Sequence, residues 1–272
     1  MPNALSPLAT LIREEIAEKG PMSLARYMDL CLAHPEHGYY RTRDPLGLSG
    51  DFTTAPEISQ IFGELIGLWL VQVWIDQGRP TPFALVELGP GRGTLMADIL
   101  RAARLVPDFG QAAQVWLVET SQPLRAAQAH QLAPHLPETG PQWAARLEDV
   151  PALPLLLVAN EFFDALPIHQ YQWTGATWRE RRVHCSDTTL ILHADGEPAP
   201  PSPLWRLPDA PLDGDCVEVS PLSAAVAGEI GQRLTQRGGA ALVVDYAYEE
   251  PSSGRWTADT FQAMRSHRLC DP

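Results

Sequence analysis

The chain has 272 residues, of which 45% are apolar and 19% charged, a composition typical of globular proteins and not of disordered or membrane-spanning ones. Its formal net charge of −13 argues against nucleic acid as a partner, because a negative surface repels phosphate. The four scattered cysteines form no zinc or disulfide pattern, and residues 1–19 lack the apolar core of an export signal. We therefore expect a soluble cytoplasmic protein with no metal site, no nucleic-acid partner and no membrane insertion.

The first part of the chain is predicted to be helical. Apolar spacing predicts amphipathic helices over residues 5–19 and 23–32. Residues 34–56 are dense in Gly, Pro, Asp and Thr, which indicates a long irregular loop. Helical periodicity resumes over residues 57–74.

Strands and helices then alternate, which predicts a doubly wound α/β fold with a mostly parallel sheet. The predicted strands cover residues 83–88, 115–119, 155–160, 216–219 and 240–246, and the predicted helices cover 93–105, 121–132 and 222–236. Residues 168–193 have a different residue pattern, with aromatic and β-branched residues on both sides of the Thr174-Gly175 turn. They are predicted to form antiparallel strands inserted into the main fold.

A glycine-rich loop follows the first predicted strand, with the sequence Glu87-Leu-Gly89-Pro-Gly91-Arg-Gly93-Thr94. Glycines at a strand-to-helix turn let the backbone approach a ligand above the carboxyl edge of the sheet. A dinucleotide fingerprint needs Gly or Ala where this chain has Thr94, so the spacing favours S-adenosylmethionine. Two alternatives stay open at this point: a tight turn without a ligand, and a nicotinamide-dependent oxidoreductase.

Polar residues at two further strand ends are candidates for the same site. Glu119 follows an apolar strand and is expected to accept hydrogen bonds from both ribose hydroxyls of a nucleoside, although it could instead cap the helix near Ser121. Asn160, Glu161 and Asp164 follow the strand over residues 155–160. Their carboxylates could hold a cationic amine or guanidinium beside the cofactor, where the protein must align an in-line methyl transfer and exclude water.

Residues 50–57, just before a predicted helix, supply further polar groups. Asp51 and Thr53 could contact the cofactor, although turn and cap chemistry would explain the same residue types.

Four motifs in order resemble the MidA-type family of class I S-adenosylmethionine-dependent methyltransferases, which includes the mitochondrial complex I assembly methyltransferase. They lie at residues 50–64, 86–94, 160–167 and 238–246. The resemblance implies a Rossmann-like fold, S-adenosylmethionine as cofactor, and methylation of an arginine on a partner protein such as a respiratory complex I subunit. It also implies that Gly89, Gly91, Gly93 and Glu119 hold the cofactor and that Glu161 faces the substrate.

The chain departs from the family pattern at two places. Asn160 stands where the mitochondrial form has a histidine, so we give it a supporting role beside Glu161 and Asp164. Family members continue beyond residues 267–272, so the last antiparallel strands are expected to be truncated. We expect a helical extension with a covering loop over residues 1–80, and a methyltransferase core over 81–272 with an insertion at about 168–215. The alternative function is a non-catalytic, cofactor-binding assembly factor for a multisubunit complex.

Overall fold

The computed structural model describes residues 5–39, 54–136, 140–186, 189–200, 210–246, 261–265 and 268–270. Two predicted cofactor residues, Asp51 and Thr53, lie outside these ranges. Contacts group the chain into two compact units. The sheet unit comprises residues 45–164 and 225–246, and the flanking unit comprises 1–44, 165–224 and 247–272. The division of the chain at residue 80 stays a prediction.

The described helices, in chain order, are α1 (Pro7–Lys19), α2 (Leu24–Ala33), α3 (Ala55–Ile58), α4 (Gln60–Asp76), α5 (Thr94–Ala103), α6 (Pro107–Ala112), α7 (Gln122–Leu132) and α8 (Pro221–Arg237). The described strands are β1 (Met22–Ser23), β2 (Phe83–Leu88), β3 (Ala113–Val118), β4 (Gln142–Ala144), β5 (Leu155–Asn160), β6 (His169–Trp173), β7 (Trp178–Glu180), β8 (Arg182–Ser186), β9 (Thr189–His193), β10 (Cys216–Val219), β11 (Gly239–Val244), β12 (Ala263–Arg265) and β13 (Arg268–Cys270).

The sheet unit is built on a five-stranded sheet in the order β11-β5-β2-β3-β4, with every neighbouring pair parallel. Its centre, β2, is buried at all six positions, which explains why every residue of this strand except Glu87 is apolar. Side chains such as Phe83 and Leu85 pack with α4 and α5 on one face, whereas Val86 packs towards Ile230 of α8 on the other. The predicted doubly wound α/β class is confirmed.

The flanking unit contains the antiparallel strands. β8 pairs with β1 and β9, and β6 pairs with β7 and β10, all antiparallel. One apolar cluster joins residues of α1 and α2 to Val183, and a second joins Tyr171, Trp178 and Val217. The antiparallel insertion predicted after the third core strand is therefore confirmed. Among the described residues, none of the helices combines the length and apolar character that a membrane span requires.

Two details of the sheet unit differ from expectation. The helix predicted over residues 57–74 is interrupted at Ser59, whose extended backbone (φ −146°, ψ 117°) separates α3 from α4. Strand β4 and helix α6 were not predicted, because three and six residues are too few to show a periodic apolar pattern.

Candidate functional site

The candidate site lies at the carboxyl edge of the parallel sheet, where open α/β sheets bind their ligands. The loop between β2 and α5 carries its three glycines with positive φ, at 61° for Gly89, 52° for Gly91 and 85° for Gly93. The Gly93 N–H donates to the Pro90 carbonyl at 2.7 Å and closes the turn immediately before α5. The strand, glycine loop and helix therefore follow one another as the sequence predicts.

Gly89 brings the glycine loop against the segment that follows β5. A Cβ atom at this position would lie 2.9 Å from the Phe162 ring, closer than carbon atoms normally approach. The Phe162 ring in turn packs edge-on against Phe163, with ring centroids 5.3 Å apart. The two motifs that the sequence suggested for one site are thus in direct contact within the sheet unit.

Glu87 is almost fully buried, with 3% of its surface exposed. Burial raises the pKa of this carboxyl group to about 8, although a hydrogen bond from the Met96 backbone N–H partly opposes the shift. Within the described part of the chain, no donor reaches its buried Oε2 atom. A buried acceptor without a donor is costly in a folded protein, which suggests that a ligand supplies one.

Asn160 presents a second acceptor of this kind on the neighbouring strand. Its Oδ1 atom is buried and has no donor among the described residues, while its Nδ2 atom lies 3.4 Å from Glu161 Oε1. Glu87 is paired in register with Val158, and strand side chains alternate, so Asn160 lies on the same sheet face as Glu87. The two acceptors suit a ligand group with several N–H donors, such as an ammonium.

Thr94 is engaged by another side chain of the sheet unit. Its hydroxyl donates to Glu57 Oε1 at 2.7 Å, and Arg92 Nη1 lies 3.7 Å from the other oxygen of the same carboxylate. Glu57 thereby ties α3 to the glycine loop. The hydroxyl oxygen of Thr94 can still accept a hydrogen bond, and its contact with a cofactor stays a prediction.

Glu119 follows β3 and is partly buried, and burial raises its pKa. Its Oε1 atom accepts the Ser121 backbone N–H at 2.6 Å, and its Oε2 atom lies 3.4 Å from Gln128 Nε2. The carboxylate thus does supply a local cap at the start of α7. The Thr120 backbone N–H is a third donor to this carboxylate, which has about four lone-pair positions and so can still accept from a ligand hydroxyl.

Glu161 has a left-handed backbone (φ 48°), which is rare for a residue with a side chain and tends to occur at functional sites. Its N–H donates to the Val244 carbonyl at 2.8 Å. Two and three residues further on, the N–H groups of Phe163 and Asp164 lie 2.8 and 3.3 Å from Asp245 Oδ2. The end of β11 therefore holds the turn that presents Glu161, whereas Asp164 is exposed.

Sequence reasoning assigned no role to Asp245 or Gln128. Asp245 lay within one of the four family motifs, and a carboxylate at the end of a parallel strand was a usable signal. Gln128 carries no such signal, because it is one polar residue among several on α7. Among the described residues, no group of three or more His, Cys, Asp or Glu side chains could hold a metal ion.

The geometry agrees with the comparison to known families. A family model matches residues 65–272, and this family is described as one of S-adenosyl-L-methionine-dependent methyltransferases. The chain belongs to this family. The predicted membership of a MidA-type methyltransferase family is thereby confirmed, although the roles of the individual site residues stay predictions.

Curated relatives match nearly the whole chain. The Drosophila melanogaster protein named protein arginine methyltransferase NDUFAF7 homolog, mitochondrial, is 40% identical over 97% of this chain and 64% of its own length. The Homo sapiens protein arginine methyltransferase NDUFAF7, mitochondrial, is 38% identical over 99% of this chain and 64% of its own. The chain thus spans just under two thirds of these relatives.

Two solved structures from Burkholderia thailandensis share the fold. One, crystallised with S-adenosyl-homocysteine, has a TM-score of 0.75 at 22% identity and covers 98% of this chain and 71% of its own. The other, of an uncharacterised protein, has a TM-score of 0.71 at 25% identity and covers 94% of this chain and 67% of its own.

The predicted cytoplasmic location is wrong. The relatives from Drosophila melanogaster, Homo sapiens and Mus musculus are mitochondrial by name. The prediction rested on scattered cysteines, which argue against an oxidising compartment but do not distinguish one reducing compartment from another.

Proposed function

We propose that this chain binds S-adenosylmethionine at the carboxyl edge of its parallel sheet and transfers the methyl group to an arginine nitrogen of a partner protein. Membership of the methyltransferase family supports the reaction, and the names of the relatives support the acceptor. The observation that carries the proposal is the pair of buried acceptors, Glu87 Oε2 and Asn160 Oδ1, beside the glycine loop.

The site residues fit the polar groups of the cofactor. Its methionine half carries an ammonium, which can donate to Glu87 and Asn160, the two acceptors that no described donor reaches. Its ribose carries hydroxyls that can donate to the lone-pair capacity that Glu119 keeps beside its internal donors. Gly89, Gly91 and Gly93 have no side chain at three positions of the loop, where the backbone can therefore approach the cofactor closely.

The proposed binding of the substrate arginine, which accepts the methyl group, rests on Glu161. When bound, the cofactor supplies an activated methyl group, and the protein then has to orient the nucleophile and exclude water. The Glu161 carboxylate can bind two N–H groups of a guanidinium and receive the proton that the methylated nitrogen releases. Asn160 steadies Glu161 through its Nδ2 atom, and the exposed Asp164 can attract the positively charged segment around the arginine.

The partner is proposed in two steps. A protein acceptor follows from the relatives named protein arginine methyltransferases. The MidA-type resemblance then extends the proposal to a subunit of respiratory complex I. The net charge of −13 favours a basic segment as the site of methylation.

Replacing Glu161 with Gln should lower methyl transfer by roughly 100-fold or more, because a neutral amide neither pairs with the guanidinium nor takes its proton. Affinity for S-adenosylhomocysteine should change by less than about threefold, since Glu161 lies outside the proposed cofactor contacts. Transfer of tritiated methyl to proteins of a mitochondrial extract lacking the endogenous relative, followed by amino-acid analysis, measures the first effect, and calorimetry measures the second.

Glu148→Gln is the matched control, because it removes an exposed carboxylate that follows the edge strand β4 of the same sheet and should leave both quantities unchanged. Label found on lysine and not on arginine would contradict the proposed acceptor. Tight binding of S-adenosylhomocysteine without any transfer would favour the non-catalytic assembly factor.

Asp245→Asn should lower methyl transfer by about tenfold while cofactor affinity stays within about threefold. Both oxygens of Asp245 accept backbone N–H groups, at 2.8 Å from Phe163 and 2.9 Å from Tyr246, and an amide can satisfy only one of them. The turn bearing Glu161 then loosens without a change at the glycine loop. The same tritium and calorimetric assays apply, and an equal loss in both would contradict this separation of roles.

A further inference from the structure

We propose that Gln128 is a positioning residue that fixes the spacing between the glycine loop and Glu119, and so sets the affinity for the adenosine half of the cofactor. The inference rests on the proposed function, because it concerns the same cofactor site. Gln128 lies on α7, the helix that follows β3 and Glu119, and it is outside the four motifs that carry the family resemblance.

The amide of Gln128 is completely buried and fully engaged. Its Nε2 atom donates to the Gly91 carbonyl at 2.7 Å and lies 3.4 Å from Glu119 Oε2. Its Oε1 atom accepts the indole N–H of Trp143 at 2.8 Å. One side chain therefore joins the glycine loop after β2, the carboxylate after β3 and the edge strand β4.

The orientation of this amide is determined by its partners. An indole N–H can only donate, and a backbone carbonyl can only accept. If the amide were turned over, its NH₂ group would face the Trp143 donor and its oxygen would face the Gly91 carbonyl. Trp143 consequently fixes the direction in which Nε2 points, towards Gly91 and Glu119.

The Gln128 side chain also packs against the glycine loop and helps to orient the Glu119 carboxylate. The nearest atom to a Cβ built at Gly93 is Gln128 Cγ, at 3.4 Å. Oε1 of Glu119 accepts the Ser121 backbone N–H, Oε2 is directed towards Gln128, and the Thr120 backbone N–H is a third internal donor to the carboxylate. Gln128 thus helps to hold the carboxylate in the direction in which its remaining lone-pair capacity can accept from a ribose hydroxyl.

Gln128→Met tests the inference because it keeps the length of the side chain and removes the amide. We expect the affinity for S-adenosylhomocysteine to fall by about 10- to 100-fold, and the affinity for adenosine alone to fall by the same factor. Trp143→Phe, which keeps the amide but removes the donor that orients it, should lower both by about 3- to 10-fold. In turnover, the KM for S-adenosylmethionine should rise while kcat changes little.

Gln131→Met is the matched control, an exposed glutamine on the same helix, and it should bind both ligands like the wild type. Calorimetry is done below the melting temperature of each variant, so that a loss of stability is not mistaken for a loss of affinity. If Gln128→Met binds adenosine within twofold of the wild type, the inference is overturned. If the wild type itself binds neither ligand, the proposed cofactor site is overturned instead.

Discussion

Replacing Gly239 with alanine should lower the melting temperature by about 10 °C, the largest loss of stability we expect from one methyl group in this chain. Gly239 begins β11, is paired in register with Leu155 of β5, and has φ 120°. A Cβ atom there would overlap the backbone carbonyl of Leu155. Because the obstacle is backbone and not a flexible side chain, β11 has to move away from β5.

Gly238→Ala is the control for this substitution. Gly238 also has a positive φ, 75°, but a Cβ atom there meets nothing within 4 Å. It therefore carries the conformational cost of a left-handed alanine, about 1–2 kcal/mol, without the collision. Thermal unfolding followed by circular dichroism compares the two. Equal melting temperatures would mean that β11 does not approach β5 as closely as the structure indicates.

The elements that sequence predicted well are those whose cause is local. The apolar runs at residues 83–88 and 155–160 are strands buried on both faces, and the glycine loop is a turn that needs positive φ. Each of these features is recorded in consecutive residues. The family resemblance implied a Rossmann-like fold, and the five-stranded parallel sheet agrees with it.

The contacts that sequence did not predict join residues far apart in the chain. Thr94 binds Glu57 across 37 positions, and Phe163 binds Asp245 across 82. Gln128 is a polar residue on an amphipathic helix, where solvent exposure was the ordinary expectation, and only the folded chain brings it against Gly91 and Trp143. Side-chain partners of this kind depend on which strands are neighbours, and no local pattern encodes that.

Glu87→Gln should change how the stability of the ligand-free protein depends on pH. The pKa of Glu87 rises from 4.5 to about 8 because the carboxyl group is buried. Between these values the unfolded chain releases the proton and the folded chain keeps it, so the free energy of unfolding falls as the pH rises. From pH 5 to pH 8 the wild type should lose roughly 3 kcal/mol from this residue alone, whereas the variant has no such loss.

Urea unfolding at several pH values measures this difference. The slope of the free energy of unfolding against pH is compared, and not its absolute value, because the buried amide of the variant lowers stability by an amount that does not depend on pH. Glu148→Gln, which removes an exposed carboxylate, should keep the wild-type slope. Parallel curves for the wild type and Glu87→Gln would contradict a proton held by Glu87.

Bound ligand should change the pH dependence that Glu87 gives to stability, and affinity should itself depend on pH. The ammonium of S-adenosylhomocysteine, placed against Oε2, would favour the carboxylate and lower the pKa that burial has raised. Saturating ligand should therefore flatten the slope of the wild type between pH 5 and pH 8, and the affinity should increase with pH over that range. The Glu87→Gln variant should show neither change, since it has no proton to release. A wild-type affinity that is independent of pH would place the ammonium away from Glu87.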